Sequence, residues 1–247
     1  MNLSREYFLT LEKSLIMDLK KYSKYIDHSP LKMDATEKEI IRFCKEAIEY
    51  SFHSVVVFPY YISLAKELIK DSDVKLDTVV GFPFGNELIS IKSEQAKQYL
   101  EMGADEIDMV MNLSAFKSGK TDHVKRDIDA VLKKVREKNA LLKVIIEIEL
   151  LSDEEIIKAS TIVADVGADF VKTSVGLLKG SKPAETEKVK LMYDTVSSKG
   201  IKVKASGSIH TTEKFLAMID AGASRVGTSK GIDLITGLKG LNLSTDY

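Results

Sequence analysis

Two hundred and forty-seven residues exceed one average domain, yet an α/β barrel of about 250 residues accommodates them as a single unit. With 36 Lys and Arg against 37 Asp and Glu and a formal charge of −1, the chain carries no electrostatic footprint for nucleic acid or for a membrane surface. Hydrophobic residues at 44% exclude a disordered chain and supply a large core.

The N-terminus mixes charges from Arg5 onward, and no stretch approaches a signal-peptide core or the ~20 apolar residues of a membrane span. A cytoplasmic location is the expectation. The division expected is a helix within residues 1–24, about Leu3 to Lys24, placed to plug a barrel's underside, then a barrel over 25–240 and a polar tail over 241–247. Short β-branched runs then recur, each followed by a longer stretch of helical period, the signature of βα units and a parallel sheet. They are Tyr25 to Ser29, Ser54 to Pro59, Leu76 to Phe82, Glu106 to Asn112, Leu142 to Glu149, Phe170 to Val175, Ile201 to Ser206 and Arg225 to Ser229. Thr36 with Glu39 and Ser152 with Glu155 read as capping boxes that open helices running to Tyr50 and Val166. Gly103-Ala104-Asp105, Gly167-Ala168-Asp169 and Gly222-Ala223-Ser224 recur between helix and strand, where a helix end needs left-handed geometry. Eight such units predict one α/β domain, a single (β/α)8 TIM barrel with an extra N-terminal helix; a doubly wound open sheet is the alternative.

The single cysteine, Cys44, sits at a helical apolar position and reads as a buried, inert thiol. Three Asn-Leu-Ser tripeptides, at Asn2, Asn112 and Asn242, carry no message in a reducing compartment.

Strands buried on both faces should be apolar throughout. Asp108 in EIDMV, Lys172 in FVKTS and Lys204 in VKAS break that rule. The sixth and seventh strands are neighbours, so the two lysines face each other. At ~5 Å and an effective dielectric near 20, like charges repel by roughly 3 kcal/mol, and burial lowers an amine's pKa further. One lysine then becomes neutral enough to attack a carbonyl, which points to Schiff-base chemistry, with Asp108 moving protons. Lys143 and Lys202 read as structural residues that snorkel from strand starts, and Glu147 and Glu149 as ordinary ion-pairing groups. Glycines and hydroxyls after the seventh and eighth strands, Gly207, Ser208, Gly227 and Ser229, suit a phosphate. The four histidines show no metal-ligand spacing, and no metal or cofactor is expected.

The stretches IDHSPLKMDAT, VVGFPFGN, GADEIDMVMN, LKVIIEIELL, GADFVKTSVG, VKASGSIHT and GASRVGTS together resemble the deoxyribose-phosphate aldolases, from Tyr25 to about Lys230. The resemblance implies a class I aldolase that reversibly cleaves 2-deoxy-D-ribose 5-phosphate into acetaldehyde and D-glyceraldehyde 3-phosphate. It assigns Lys172 as the Schiff-base nucleophile, Lys204 as its partner and Asp108 as proton relay. Asp27 and Ser29 fall on the family's hydroxyl-binding pair, and Gly176, Gly207, Ser208, Gly227 and Ser229 on its phosphate site. The C-terminal Tyr247 falls where a terminal tyrosine is implicated in shuttling the enamine proton.

Departures from the family pattern are Val175 for threonine, Ser208 for glycine, His210 for arginine and Lys230 for serine, the last able to restore the lost charge. If position 208 needs a positive φ, serine there costs roughly 1 kcal/mol. Two other readings remain: a Schiff-base aldolase for a different aldehyde, and a catalytically silent sugar-phosphate-binding barrel. The expected partners are small molecules, a sugar phosphate and acetaldehyde, with no nucleic acid and no membrane, and the expected assembly is a homodimer.

Overall fold

The computed structural model describes residues 19–177 and 184–238. Residues 19–23 are helical, the described end of the expected N-terminal helix; its earlier part, the tail and Tyr247 lie outside the described residues. The strands are β1 (Ile26–His28), β2 (Ser54–Val57), β3 (Lys75–Val80), β4 (Glu106–Val110), β5 (Leu141–Ile145), β6 (Phe170–Lys172), β7 (Lys202–Ser206) and β8 (Ala223–Thr228). Each pairs in parallel with its successor, and β8 pairs with β1, so the sheet closes into a barrel in chain order. Closure excludes the open sheet.

After β1, nine described α-helices surround the strands: α1 (Glu37–Glu49), α2 (Ile62–Ile69), α3 (Ile89–Glu101), α4 (Leu113–Lys117), α5 (Thr121–Glu137), α6 (Asp153–Val166), α7 (Thr186–Val196), α8 (Thr212–Asp220) and α9 (Gly231–Gly237). Both capping boxes form: the Thr36 and Ser152 side chains accept the N–H groups of Glu39 and Glu155, whose carboxylates reach back to the capping backbone. Gly167 ends α6 at φ +85°, and Gly103 and Gly222 share its positive φ, as the repeated pattern requires. Apolar spacing buries Ile40, Phe43, Cys44 and Ala47 of α1 against the barrel. Burial pushes the Cys44 thiol up to about 12, which keeps it unreactive.

Strands end earlier at their C-terminal ends than the apolar runs suggest. β4 stops at Val110 because Asn112 turns to cap α4, its side chain accepting the Ala115 N–H at 2.9 Å. β5 stops at Ile145, and Glu147 takes left-handed geometry at φ +54°. This end is where a barrel builds its site. The early endings free backbone and side chains to line it.

Candidate active site

Inside the barrel lies a charged cluster larger than three residues. Asp27, Asp77, Asp108, Lys143 and Lys204 are fully buried, and Glu106, Lys172 and Arg225 are nearly so. Alternation along the strands aims them inward, and Asp27, Asp77, Lys143 and Lys204 come from the four odd-numbered strands, the way barrel interiors are layered. Asp108 sits at the centre. Its Oδ1 accepts Lys143 Nζ at 2.9 Å, and its Oδ2 accepts Lys172 Nζ at 2.6 Å and Lys204 Nζ at 2.8 Å. Lys172 and Lys204 are paired in register across β6 and β7.

Lys204 also meets Asp27 at 2.6 Å and Asp77 at 3.1 Å. Lys143 meets Asp77 and Glu106, each at 2.7 Å. Toward the underside, Arg225 bridges Asp27 at 3.0 Å and Glu106 at 3.3 Å, and His53 reaches Glu106 at 3.1 Å. Carboxylate oxygens of Asp27, Asp77 and Glu106 lie within 4.8 Å of one another. Three carboxylates so close invite a cation, and Lys143, Lys204 and Arg225 supply positive charge at that place.

Environment splits the two lysines. Burial pushes Lys172 down, Asp108 pulls it up, and the Lys204 charge pushes it down again, with a net depression. Burial also opposes the charge on Lys204, but Asp108, Asp27 and Asp77 outweigh it and raise its pKa. Three carboxylates therefore stay ionised despite burial. Lys204, Arg225 and Lys143 hold Asp27 down at about 2; Lys143, Lys172 and Lys204 hold Asp108 well below the usual carboxylate range, and Lys143 with His53 and Arg225 does the same for Glu106. Asp77 differs, because burial and the adjacent Asp108 charge push it up to about 7 against the pull of Lys143 and Lys204.

Lys172 lies at the floor of a cavity of about 220 Å3 that opens at the C-terminal ends of the strands. One wall is polar: Ser29, Gly176, Gly207, Ser208, Gly227 and Ser229 line it, as do Lys32 and His210. Val175 and Leu177 add apolar surface to the lining, and both pack into a small cluster with Val110, Ile145 and Phe82. Hydroxyls fix the polar wall. Thr173 Oγ1 donates to the Ser206 carbonyl and accepts the Ser206 N–H, both at 2.8 Å, while Ser206 Oγ donates to the Ser174 carbonyl at 2.7 Å. Ser208 does adopt a left-handed φ of +51°, so the strain expected of a serine there is present. At Gly227 a Cβ would come within 3.3 Å of Lys204 Cε, so the glycine leaves that lysine its path.

A family model described as DeoC/LacD family aldolase matches residues 17–241. The chain belongs to that family. It is 49% identical over 219 residues to the deoxyribose-phosphate aldolase of Thermococcus gammatolerans, covering 88% of this chain and 96% of that one. It is likewise 49% identical over 221 residues to the deoxyribose-phosphate aldolase of Caldicellulosiruptor saccharolyticus, covering 89% and 99%. Among solved structures, the tetrameric deoxyribose phosphate aldolase from Aeropyrum pernix matches with a TM-score of 0.83 at 30% identity, over 92% of this chain and 96% of that one.

Several expectations change. Lys143 does not snorkel: it is fully buried between Asp77, Glu106 and Asp108, because its place on β5 faces the interior in register with Asp108. Glu147 spends its carboxylate on backbone, accepting the Val175 N–H at 3.0 Å, and burial raises its pKa. Lys202, by contrast, is exposed at the start of β7, with its ammonium over the Phe170 ring at 5.8 Å. Asp27 does not line the cavity; it lies beneath it against Lys204, and Ser29 Oγ donates to the Asp27 carbonyl, not to its carboxylate. Lys230 points away, toward Asp233 at 3.4 Å. The exposed cation that lines the cavity is Lys32, which sequence reasoning passed over. It also passed over Asp77 and Arg225, each a charge within a β-branched strand, the same signal that exposed Asp108.

Proposed function

We propose that this chain is a class I aldolase that reversibly cleaves 2-deoxy-D-ribose 5-phosphate into acetaldehyde and D-glyceraldehyde 3-phosphate through a Schiff base on Lys172. The observation that carries the reading is a depressed, buried lysine amine at the floor of an open cavity, 2.6 Å from Asp108 and opposite a second, fully charged lysine. The family membership and the named relatives support the substrate.

In cleavage, the neutral Lys172 amine attacks the aldehyde carbon of the open-chain sugar, and loss of water gives an iminium. Its positive nitrogen accepts the electron pair released as the bond between the second and third sugar carbons breaks; the hydroxyl on the third carbon gives its proton to the relay and becomes the carbonyl of the departing phosphorylated aldehyde, and an enamine of acetaldehyde remains. Asp108 relays the protons, through water where needed, and Lys204 holds Asp108 ionised and opposes a charge on Lys172. The phosphate rests on the backbone of Gly176, Gly207, Ser208 and Gly227 and on Ser229, with Lys32 supplying the charge in place of an arginine at 210. Ser29 meets a substrate hydroxyl, and Asp27 serves Lys204 from below. Tyr247 remains the proposed proton shuttle for the enamine. No cofactor takes part in this chemistry.

The reading carries with it a homodimer and a cytoplasmic location, which the single unpaired cysteine suits. None of the described helices is long and apolar enough to cross a membrane. The test compares Lys172→Ala with the parent enzyme on 2-deoxyribose 5-phosphate and on unphosphorylated 2-deoxyribose. Cleavage vanishes in the variant, and the parent loses several kcal/mol of transition-state binding without the phosphate. Equal turnover of the two sugars contradicts the phosphate site.

A further inference from the structure

Four carboxylates and four cations share the barrel interior: Asp27, Asp77, Glu106 and Asp108 against Lys143, Lys172, Lys204 and Arg225. Six of these hold their charges firmly, since Asp27, Glu106 and Asp108 are kept ionised and Lys143, Lys204 and Arg225 protonated by one another. They balance. What is left over is one carboxyl, Asp77, and one amine, Lys172, and so buried a cluster favours the state in which this remaining pair is also neutral overall.

The two are joined by hydrogen bonds. Asp77 Oδ2 accepts Lys204 Nζ at 3.1 Å, Lys204 Nζ donates to Asp108 Oδ2 at 2.8 Å, and the same oxygen accepts Lys172 Nζ at 2.6 Å. Asp77 Oδ1 is buried without a hydrogen-bond partner, a position that suits a carboxyl better than a full carboxylate. We propose that Asp77 stores the proton that Lys172 gives up and returns it through Lys204 and Asp108 when the iminium forms. The inference rests on the aldolase reading above and makes Asp77 a positioning residue, since it acts through its neighbours and does not line the cavity.

The proton balance requires such a store. The amine lone pair forms the carbon–nitrogen bond, the carbonyl pair goes to oxygen, and an N–H proton follows it; departure of that oxygen as water takes one further proton. A neutral amine, an aldehyde and one proton thus give an iminium and water. Lys204 passes a proton to the Asp108 carboxylate, which hands it on to the departing oxygen, and Asp77 refills Lys204 and ends as a carboxylate. The interior starts neutral with Asp77 protonated and ends neutral with the iminium charge opposite the Asp77 carboxylate. Around Asp77 stand Asp27 from β1, Glu106 and Asp108 from β4, Lys143 from β5, Lys172 from β6 and Lys204 from β7; Arg225 from β8 faces Asp27 and Glu106, the neutral Ser54 of β2 donates to Asp27, and His53 before it faces Glu106.

The test follows imine formation with acetaldehyde in the full-length enzyme, by rapid borohydride quench across pH, alongside infrared difference spectra. In the parent, a protonated-carboxyl carbonyl band is lost as the iminium forms near neutral pH, and the imine-formation rate declines above neutrality as the store empties. Asp77→Asn lacks that band change and that alkaline decline, and forms imine at least tenfold more slowly at neutral pH. Asp77→Ser, which leaves room for water, serves if the asparagine variant does not fold. An unchanged pH profile in either variant overturns the proposal, as does a parent spectrum with no carboxyl band lost. A parent enzyme that forms no imine at all fails at the earlier step and takes down the aldolase reading itself.

Discussion

Lys204 shows why a single residue here cannot be read from its catalytic role alone. Three carboxylates lean on its ammonium, those of Asp27, Asp77 and Asp108. Removing one partner of a buried ion pair leaves uncompensated charge and costs roughly 3–5 kcal/mol. Lys204→Leu therefore folds with a markedly lower melting temperature, and the pH dependence of imine formation on Lys172 moves upward because a repelling charge is gone. Thermal melts and pH-resolved borohydride trapping read the two effects separately; an unshifted pH profile contradicts the lysine pairing. Lys172, Lys204 and Asp108 were legible in the sequence because a charge inside a parallel strand is anomalous. Asp77 and Arg225 carry the same anomaly, but each stands near a strand start, where a side chain can reach water. Only barrel closure shows that positions so near the N-terminal ends still face the interior. Lys32 was illegible for another reason: whether a loop cation bends over the cavity or away from it depends on the path of the loop, and Lys230, the more obvious choice, bends away.

At the scale of elements, the strand ends carry the function. Thr173 ties β6 to β7 by satisfying both the N–H and the carbonyl of Ser206, at 2.8 Å each, which fixes the register that sets Lys172 opposite Lys204. Thr173→Val removes a hydrogen bond from each of two buried backbone groups, and a group left unsatisfied costs about 1–3 kcal/mol. A loss of at least 2 kcal/mol in chemical denaturation is the expected result, with a reduced rate of Schiff-base formation; a neutral effect on both contradicts the tie. The βα pattern, both capping boxes and the recurring glycines were readable because each follows a local rule of spacing or backbone geometry. The early strand endings at Val110 and Ile145 were not, since MVMN and IIEIELL remain apolar past the last ladder bond. Those residues leave the sheet because Asn112 caps α4 and Glu147 turns to hold the Val175 N–H, and such partners come from elsewhere in the fold.

Over the whole molecule, the interior ion network sets the response to pH. Asp27 is held at about 2 in the fold against 3.8 as its ordinary value. A depressed carboxyl contributes stability above its unfolded pKa and loses it as pH falls through the folded one, here about 2 kcal/mol lost between roughly pH 4 and pH 2. Glu106 and Asp108 act with the same sign. Asp77 acts with the opposite sign: its pKa of about 7 lies above the unfolded value, so stability from this group falls as pH rises from about 4 through 7. Urea midpoints should drop steeply below pH 4, and Asp77→Asn should remove a decline between pH 4 and 7 that the parent shows. An identical pH slope in the two proteins contradicts the assignment.

The central claim is that a buried lysine at the cavity floor is the nucleophile. Borohydride reduction with acetaldehyde, followed by intact-mass and peptide analysis beside a cleavage assay on 2-deoxyribose 5-phosphate, tests it most directly. The account predicts a single adduct on the peptide that carries Lys172, with cleavage in the parallel assay; no adduct, or one on a different lysine, contradicts it.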